Sequence, residues 1–250
     1  MNQKKRIVII GATSAMATHC GRSWAQGKRV DLVLVGRDLS RLERVAQDLK
    51  ARSPESHIQA LTVNFSDALA IQTLVTEIAA QGVIDIALIA HGSLGDQTES
   101  QRDLQRCEQE LAINGVSPVL FAEAFAQVMA NVDHGTLGVI GSVAGDRGRK
   151  SNYVYGAAKG LVTRYVQGLQ HRFAKTQVKV VLIKPGPTET PMTAALSAQG
   201  VKMASVQKVA QGIVSAIETG KPVAYVPGKW WLIMMVIRHL PGFVFNKMNI

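Results

Sequence analysis

The sequence predicts a doubly wound α/β domain: a parallel sheet of about seven strands with helices on both faces. Three observations predict it. Short β-branched runs recur along the whole chain, and several are apolar at every position, as strands covered on both faces are. Segments of helical length and period separate them. The 250 residues, 47% apolar and 18% charged, suffice for one large domain with a full core and exclude a disordered chain.

The strands are expected over Arg6–Ile10, 31–35, 58–63, 85–90, 137–141, 178–183 and Val223–Val226. Helices are expected over 15–26, Leu39–Arg52, 68–81, 103–129, 153–175 and 205–219. No repeat, low-complexity tract or Pro/Gly/Ser-rich linker divides the chain. Residues 1–228 therefore read as one domain and 229–250 as an apolar tail. The opening MNQKKRIVIIGATSA has only four apolar residues before Gly11, too few for a signal-peptide core, so it reads as the first strand. The two cysteines, Cys20 and Cys107, form no CxxC, which suits a reducing compartment and a cytoplasmic location. No His/Cys/Asp cluster has metal-ligand spacing.

A net charge of +10 favours anionic partners: nucleic acid, anionic lipid, an acidic carrier protein or a phosphorylated ligand. The basic residues are scattered and match no nucleic-acid recognition motif, so nucleic acid is not expected as a partner.

Two stretches carry chemistry. The first strand runs into GATSAMA, residues 11–17. A tight turn from strand to helix N-terminus turns backbone N–H groups and the helix dipole toward a pyrophosphate. Gly11 supplies the turn, Thr13 and Ser14 offer hydroxyls, and Ala15 and Ala17 are small enough for close approach. At the end of the second strand, where an acid would hold a ribose 2′-hydroxyl, stands Gly36. Arg37 follows, with Arg41 one helical turn on. Arginine there suits a 2′-phosphate, hence NADP(H) over NAD, although Asp38 offers an acid one position later.

The second stretch is SVAGDRGRKSNYVYGAAK, residues 142–159. Tyr155 and Lys159 are four apart on one helical face. An ammonium beside a phenol favours phenolate and is expected to lower the Tyr155 pKa. Ser142 is placed to hold the oxygen that receives the proton. Arg147, Arg149 and Lys150 lie between serine and tyrosine, where they meet an anionic substrate group or merely solvent.

The residue 11–17 turn, Asn114, Ser142, the YGAAK of 155–159 and PGPTET of 185–190 fall in the order and spacing of the short-chain dehydrogenase/reductase family, which this chain resembles over nearly its whole length. The resemblance implies a Rossmann-type fold. It makes Tyr155 the general acid in ketone reduction, Ser142 a hydrogen-bond donor to the substrate oxygen, Lys159 a partner of Tyr155 and the nicotinamide ribose, and Asn114 the holder of a water in a proton relay. It assigns Met16 to the phosphate turn, Asn64 and Phe65 to the adenine side, Ala90 and Gly92 to the loop after the fourth strand, and Pro185, Gly186, Thr188 and Thr190 to the nicotinamide. The sequence departs from the family pattern at IAHG, residues 89–92, and at Asn64, where the family carries an aspartate. His91 reads as a packed loop residue. A family resemblance also implies an oligomer built on the two long helices.

The AHGSLGD of 90–96, the basic 147–150 segment and the tail are similar to reductases of polyprenylphosphoryl 2-keto-pentose, which implies a keto-sugar on a lipid phosphate as substrate. The tail contains WWLIMMVI, eight residues from 230 to 237, whereas a membrane-spanning helix needs about 20. Tryptophans, apolar bulk and nearby Arg238, His239 and Lys247 suit a helix lying in a membrane interface, on the inner face of the cytoplasmic membrane. They equally suit a segment packed over the substrate site or at a subunit interface. The expectation is an NADPH-dependent ketone reductase. A 3-oxoacyl carrier-protein reductase and a non-catalytic NADP-binding sensor or scaffold are the alternatives.

Overall fold

A computed structural model describes residues 4–27, 29–194 and 202–248. Residues 1–3, and residues 249–250 at the end of the predicted tail, lie outside them. The chain alternates β1 (Arg6–Ile10), α1 (Ala15–Ala25), β2 (Asp31–Gly36), α2 (Leu39–Arg52), β3 (His57–Thr62), α3 (Ala68–Ala80) and β4 (Ile86–Ile89). Then come α4 (Gln97–Arg102), α5 (Leu104–Leu111), a π-helical turn (Ala112–Val116), α6 (Ser117–Val132), β5 (Thr136–Ile140), a 3-10 turn (Val143–Asp146) and α7 (Tyr153–Arg172). The remainder is β6 (Lys179–Pro185), β7 (Thr188–Glu189), β8 (Ala204–Ser205), α8 (Val206–Glu218), β9 (Val223–Val226), α9 (Lys229–His239) and α10 (Gly242–Phe245).

Seven strands pair in parallel in the order β3-β2-β1-β4-β5-β6-β9, and β7 with β8 makes a separate small pair. Successive side chains of a strand point to opposite faces. Val8 and Ile10 of β1 accordingly enter one apolar core, and Ile7 and Ile9 the other. Every residue of β1 is buried, which is why the strand reads as continuously apolar instead of alternating. Phe121 and Phe125, fully buried on α6, fill the first core. Trp24 on α1 packs into the second.

Helices start where a short polar side chain satisfies free N–H groups of the first turn. Ser14 caps α1, Asp38 caps α2, Asp67 caps α3 and Ser205 caps α8. Asp96 and Asp103 each cap a helix as well, so α4 and α5 are separate, and α4 has no counterpart among the expected helices. The single helix expected over 103–129 is instead α5 and α6 joined through the π turn. Pro118 explains the turn. It has no N–H to give the carbonyl four residues back, that of Asn114, and the Ser117 N–H reaches Ala112 O, five back. Gly115 sits where a side chain would meet the α7 backbone: a Cβ there would lie 3.2 Å from Ala158 Cα.

The order of the strands reverses at β1, which has β2 on one side and β4 on the other. Ligands of open α/β sheets bind outside the carboxyl ends of the strands at such a point.

Candidate active site

A cavity of about 380 Å³ occupies that position. At its base is the turn after β1. Gly11 has φ +78°, and a Cβ there would fall 2.7 Å from His91 Cβ, so glycine is required twice over. The Gly11 N–H is tied to Val35 O at 2.8 Å. Thr13, Ser14, Ala15 and Met16 line the cavity beside it. Ser14 Oγ accepts the Ala17 N–H at 3.3 Å, which leaves its own proton to give.

Beyond the turn, the cavity is walled by Gly36, Arg37 and Arg41. Arg37 is exposed, with its guanidinium 5.9 Å from the Phe65 ring centre. Asp38 does not line the cavity. Its Oδ1 accepts the Arg41 N–H at 3.0 Å and the Ser40 hydroxyl at 2.9 Å, and these two bonds hold its pKa below the ordinary value. A shallow hollow next to Thr13 adds Arg22, Arg41 and Arg44. Arg22 is neutralised by Asp48 at 2.7 Å, whereas Arg37, Arg41 and Arg44 make no ion pair among the described residues. Arg44 was not singled out in the sequence, although it lies one turn beyond Arg41. Phe65 lines the cavity as expected from the resemblance, but Asn64 does not. Asn64 is exposed and its Oδ1 accepts the Ser66 N–H at 3.0 Å, closing a local turn. The side chain expected on the adenine side is thus held in a local turn outside the cavity lining.

Ala90, His91 and Gly92 form the wall after β4. His91 is buried against Phe65 and Phe121 in edge-to-face contact, at 4.6 and 5.4 Å, and its Nε2 shares a proton with Ser117 Oγ at 2.9 Å. Burial, with Lys159 and Arg37 adding, pushes its pKa down to about 3, so it stays neutral and acts as packing. Gly92 has no room for a side chain: a Cβ would fall 2.7 Å from Asn114 Oδ1 and 3.5 Å from Lys159 Nζ.

Ser142, Tyr155 and Lys159 all line the far end of the cavity. Ser142 caps the 3-10 turn, its Oγ accepting the Ala144 N–H at 3.1 Å. Lys159 Nζ donates to Ile140 O at 3.3 Å and lies 5.8 Å from the Tyr155 ring centre. Burial lowers the Lys159 pKa to about 8. Burial raises that of Tyr155, the Ser142 hydroxyl opposing and the Glu110 charge adding. Burial gives this shift its sign, opposite to the lowering expected from the lysine.

Asn114 is fully buried in the π turn and does not reach the cavity surface. Its Oδ1 accepts the Ser93 N–H at 2.8 Å, and its Nδ2 donates to Glu110 Oε2 at 2.8 Å and Ser93 Oγ at 3.2 Å. The Asn114 side chain is thereby taken up by protein. The Asn114 backbone carbonyl has no α-helical N–H donor, because Pro118 stands four residues on. Ser93 and Glu110 escaped sequence reading. The one signal was the i, i+4 spacing of Glu110 and Asn114.

Pro185, Gly186, Thr188 and Thr190 line the cavity after β6. Thr188 Oγ1 donates to Gly186 O at 2.9 Å, and Thr190 shares a hydroxyl bond with Thr193 at 3.1 Å. Gly186 is covered by the tail: a Cβ there would fall 1.9 Å from Trp230 Nε1.

The expected substrate arginines part company. Arg147 does not face the cavity. Its Nη1 donates to Ile237 O and Leu240 O at 2.6 Å each, and its guanidinium lies 3.8 Å from the Phe245 ring centre. It ties the end of α9 to the segment after Ser142, and the substrate role is corrected to that. Arg149 does line the cavity, along with Asn152. Burial lowers the Arg149 pKa, and its Nε is buried without a protein partner, as is Asn152 Oδ1. Gln97 accepts the Val154 N–H at 3.0 Å and leaves its Nε2 equally orphaned. Lys150 is exposed and outside the cavity lining. Asp146, between these residues, forms a buried ion pair with Lys184 and accepts the Tyr225 hydroxyl at 2.7 Å, which anchors the segment to β6 and β9. No group of three His, Cys, Asp or Glu side chains among the described residues has the geometry to hold a metal.

The model of the short chain dehydrogenase family matches residues 5–200. An uncharacterised oxidoreductase of Mycobacterium tuberculosis is 29% identical over 243 residues, covering 97% of this chain and 96% of its own. One of Streptomyces coelicolor is 28% identical over 248 residues, covering 98% and 96%. Among solved structures, a short-chain dehydrogenase from Sphingobium yanoikuyae in complex with NADPH superposes with a TM-score of 0.80 at 20% identity, covering 98% of this chain and 96% of that one. A short-chain type dehydrogenase/reductase from Mycobacterium ulcerans gives 0.81 at 17%, covering 99% of each. The solved structures show the fold alone.

Proposed function

The chain belongs to the short-chain dehydrogenase family, and from that premise we propose that this oxidoreductase uses NADPH to reduce a ketone to a secondary alcohol. The observation that carries the reading is one cavity with two equipped ends. Arg37, Arg41 and a glycine turn stand at one end, with Arg44 in the adjoining hollow, and Ser142, Tyr155 and Lys159 converge at the other.

The residues present fit the cofactor. Gly11 and Gly92 present bare backbone to the cavity, and a Cβ on either would press into His91 or Asn114 behind it. Arg37, Arg41 and Arg44 are in no direct ion pair among the described residues, and Asp38, the acid that would favour an unphosphorylated ribose, is engaged as a helix cap. That favours NADPH over NADH. Bound there, a reduced nicotinamide supplies a hydride to a carbonyl carbon. Ser142 and Tyr155 then meet the charge that develops on the carbonyl oxygen, and Tyr155 gives it the proton. A phenol whose pKa is raised stays protonated at neutral pH, the form that reduction consumes. Lys159 stands behind it to pass a proton back.

The substrate is proposed to be a polar, anionic ketone: a 2-keto sugar on a polyprenyl phosphate. Support comes from Arg149 and Asn152, which line the cavity: the orphaned Arg149 Nε suits a phosphate or hydroxyl oxygen, and the orphaned Asn152 Oδ1 a hydroxyl proton, better than an acyl chain. The enzyme would then work in the cytoplasm, close to the membrane that carries such a lipid. NADPH oxidation against a panel of ketones tests the reading. The panel pairs keto-sugars with and without phosphate and includes 3-oxoacyl thioesters. Turnover with phosphorylated keto-sugars is expected. Preference for the thioesters would assign the carrier-protein reaction, and NADPH binding with no turnover of any ketone would make the protein a sensor or scaffold.

A further inference from the structure

We propose that the outward face of α9, with the α10 segment behind it, is a docking surface for an anionic phospholipid membrane. Helix residues advance about 100° each, so Trp230, Met234 and Ile237 share the inward side. Met234 is buried, and Trp230 sits on Gly186. The opposite side carries Trp231, Leu232, Met235 and Val236, exposed by 56, 63, 37 and 57%. Phe243, 72% exposed, continues the patch on α10. A helix that is apolar all round is normally covered all round, and here only half is covered by the fold.

The charges around the patch say what covers the other half. Lys229, Arg238, His239 and Lys247 are exposed at its rim, and residues 229–250 contain no Asp or Glu. None of the four is in an ion pair among the described residues. Were a second copy to pack this face against its own by two-fold symmetry, the rim would meet a rim of the same sign. Anionic headgroups neutralise it, while tryptophan and aliphatic side chains enter the acyl boundary.

The surface is wired to the active site. Arg147, five residues after Ser142, holds the carbonyls of Ile237 and Leu240 and stacks on Phe245. Trp230 closes over Gly186, which lines the cavity. A membrane under α9 therefore lies at the substrate end of the cavity and orients it toward a lipid-borne substrate. That orientation rests on the reading proposed above; the docking does not.

Vesicle sedimentation of the full chain tests it. Phosphatidylcholine vesicles are compared with vesicles that also contain phosphatidylglycerol, and NADPH affinity is measured on the same samples. Salt-sensitive binding to the anionic vesicles is expected, with a blue shift of tryptophan emission that disappears in Trp231→Phe. Lys229→Glu with Lys247→Glu should weaken binding at least about tenfold, and Trp231→Glu with Leu232→Glu should abolish it, with NADPH affinity unchanged in both. Failure to bind anionic vesicles overturns the proposal. So does a dimer in sedimentation velocity that the Trp231→Glu, Leu232→Glu pair converts to monomer, because the face then belongs to a second copy. Unchanged NADPH affinity alongside either failure leaves the cofactor reading standing.

Discussion

The two ends of the cavity are built differently. The end near β1 and β2 is made by short-range devices: a glycine at positive φ, a serine cap, and arginines one turn apart on α2. The end near Tyr155 is made by partners far apart in sequence. Arg147 meets carbonyls 90 and 93 residues away, and Tyr225 reaches Asp146 across 79. Two arginines two positions apart have opposite fates there. Arg147 is consumed by the tail, and Arg149 is left with an orphaned nitrogen in the cavity. A cation in a segment near a catalytic tyrosine is thus no guide to substrate binding until its other neighbours are known.

Substitutions at the two ends sharpen that contrast. The largest effect is expected at the short-range end. Gly11→Val adds a Cβ 2.7 Å from His91 Cβ in a backbone conformation that β-branched residues avoid. Strain and crowding of about 3 kcal/mol together should weaken NADPH binding about a hundredfold in a fluorescence titration. Wild-type affinity in this variant would mean that the turn does not touch the cofactor.

Next comes Lys159→Met. The lysine is buried and its pKa falls from an ordinary 10.5 to about 8, so the folded protein holds a charge at neutral pH that burial disfavours, at a cost of about 3 kcal/mol. Between those two values the unfolded chain binds more protons, and stability rises with pH from about 8 upward. The methionine variant should therefore unfold at a higher temperature than the wild type at pH 7. The gain should shrink as pH passes 8 toward 10, while turnover is lost. A lower melting temperature at pH 7 would show that the Ile140 carbonyl and its surroundings stabilise the charge better than burial penalises it.

Arg147→Ala removes two hydrogen bonds from a charged donor and one aromatic contact. A loss of about 2 kcal/mol is expected, read as a fall of roughly 4–8 °C in melting temperature for a chain of this size. KM for an anionic ketone should change less than in Arg149→Ala. The reverse ranking would restore Arg147 to substrate binding. The smallest effect is at the cofactor's ribose. Arg37→Ala should reduce the preference for NADPH over NADH about tenfold and no further, because Arg41 and Arg44 remain. Equal affinities in the unsubstituted protein would refute the NADPH assignment.

The same division explains what the sequence disclosed. The strand positions, the β1 turn and the Tyr155–Lys159 pair were legible because local period, a glycine at a strand–helix junction and i, i+4 spacing are written within a few residues. The turn that Asn64 closes on Ser66, outside the cavity lining, is not revealed by the family position. The break in the long helix had a signal, Pro118, whose missing N–H falls on Asn114 four residues earlier. The raised Tyr155 pKa was illegible, since spacing gives the distance to Lys159 but not the depth of burial. Glu110, Gln97 and the grip of Arg147 on the tail depend on tertiary contacts that leave no mark on local pattern.

The central claim is that Tyr155 delivers the proton at the end of a cavity whose other end holds NADPH. Tyr155→Phe removes one hydroxyl and leaves the ring and the turn after β1 intact. Steady-state NADPH oxidation with a ketone substrate, measured with NADPH affinity on the same protein, should show kcat lowered about 10²–10⁴-fold at unchanged NADPH affinity. Turnover retained in Tyr155→Phe at unchanged affinity would contradict the account.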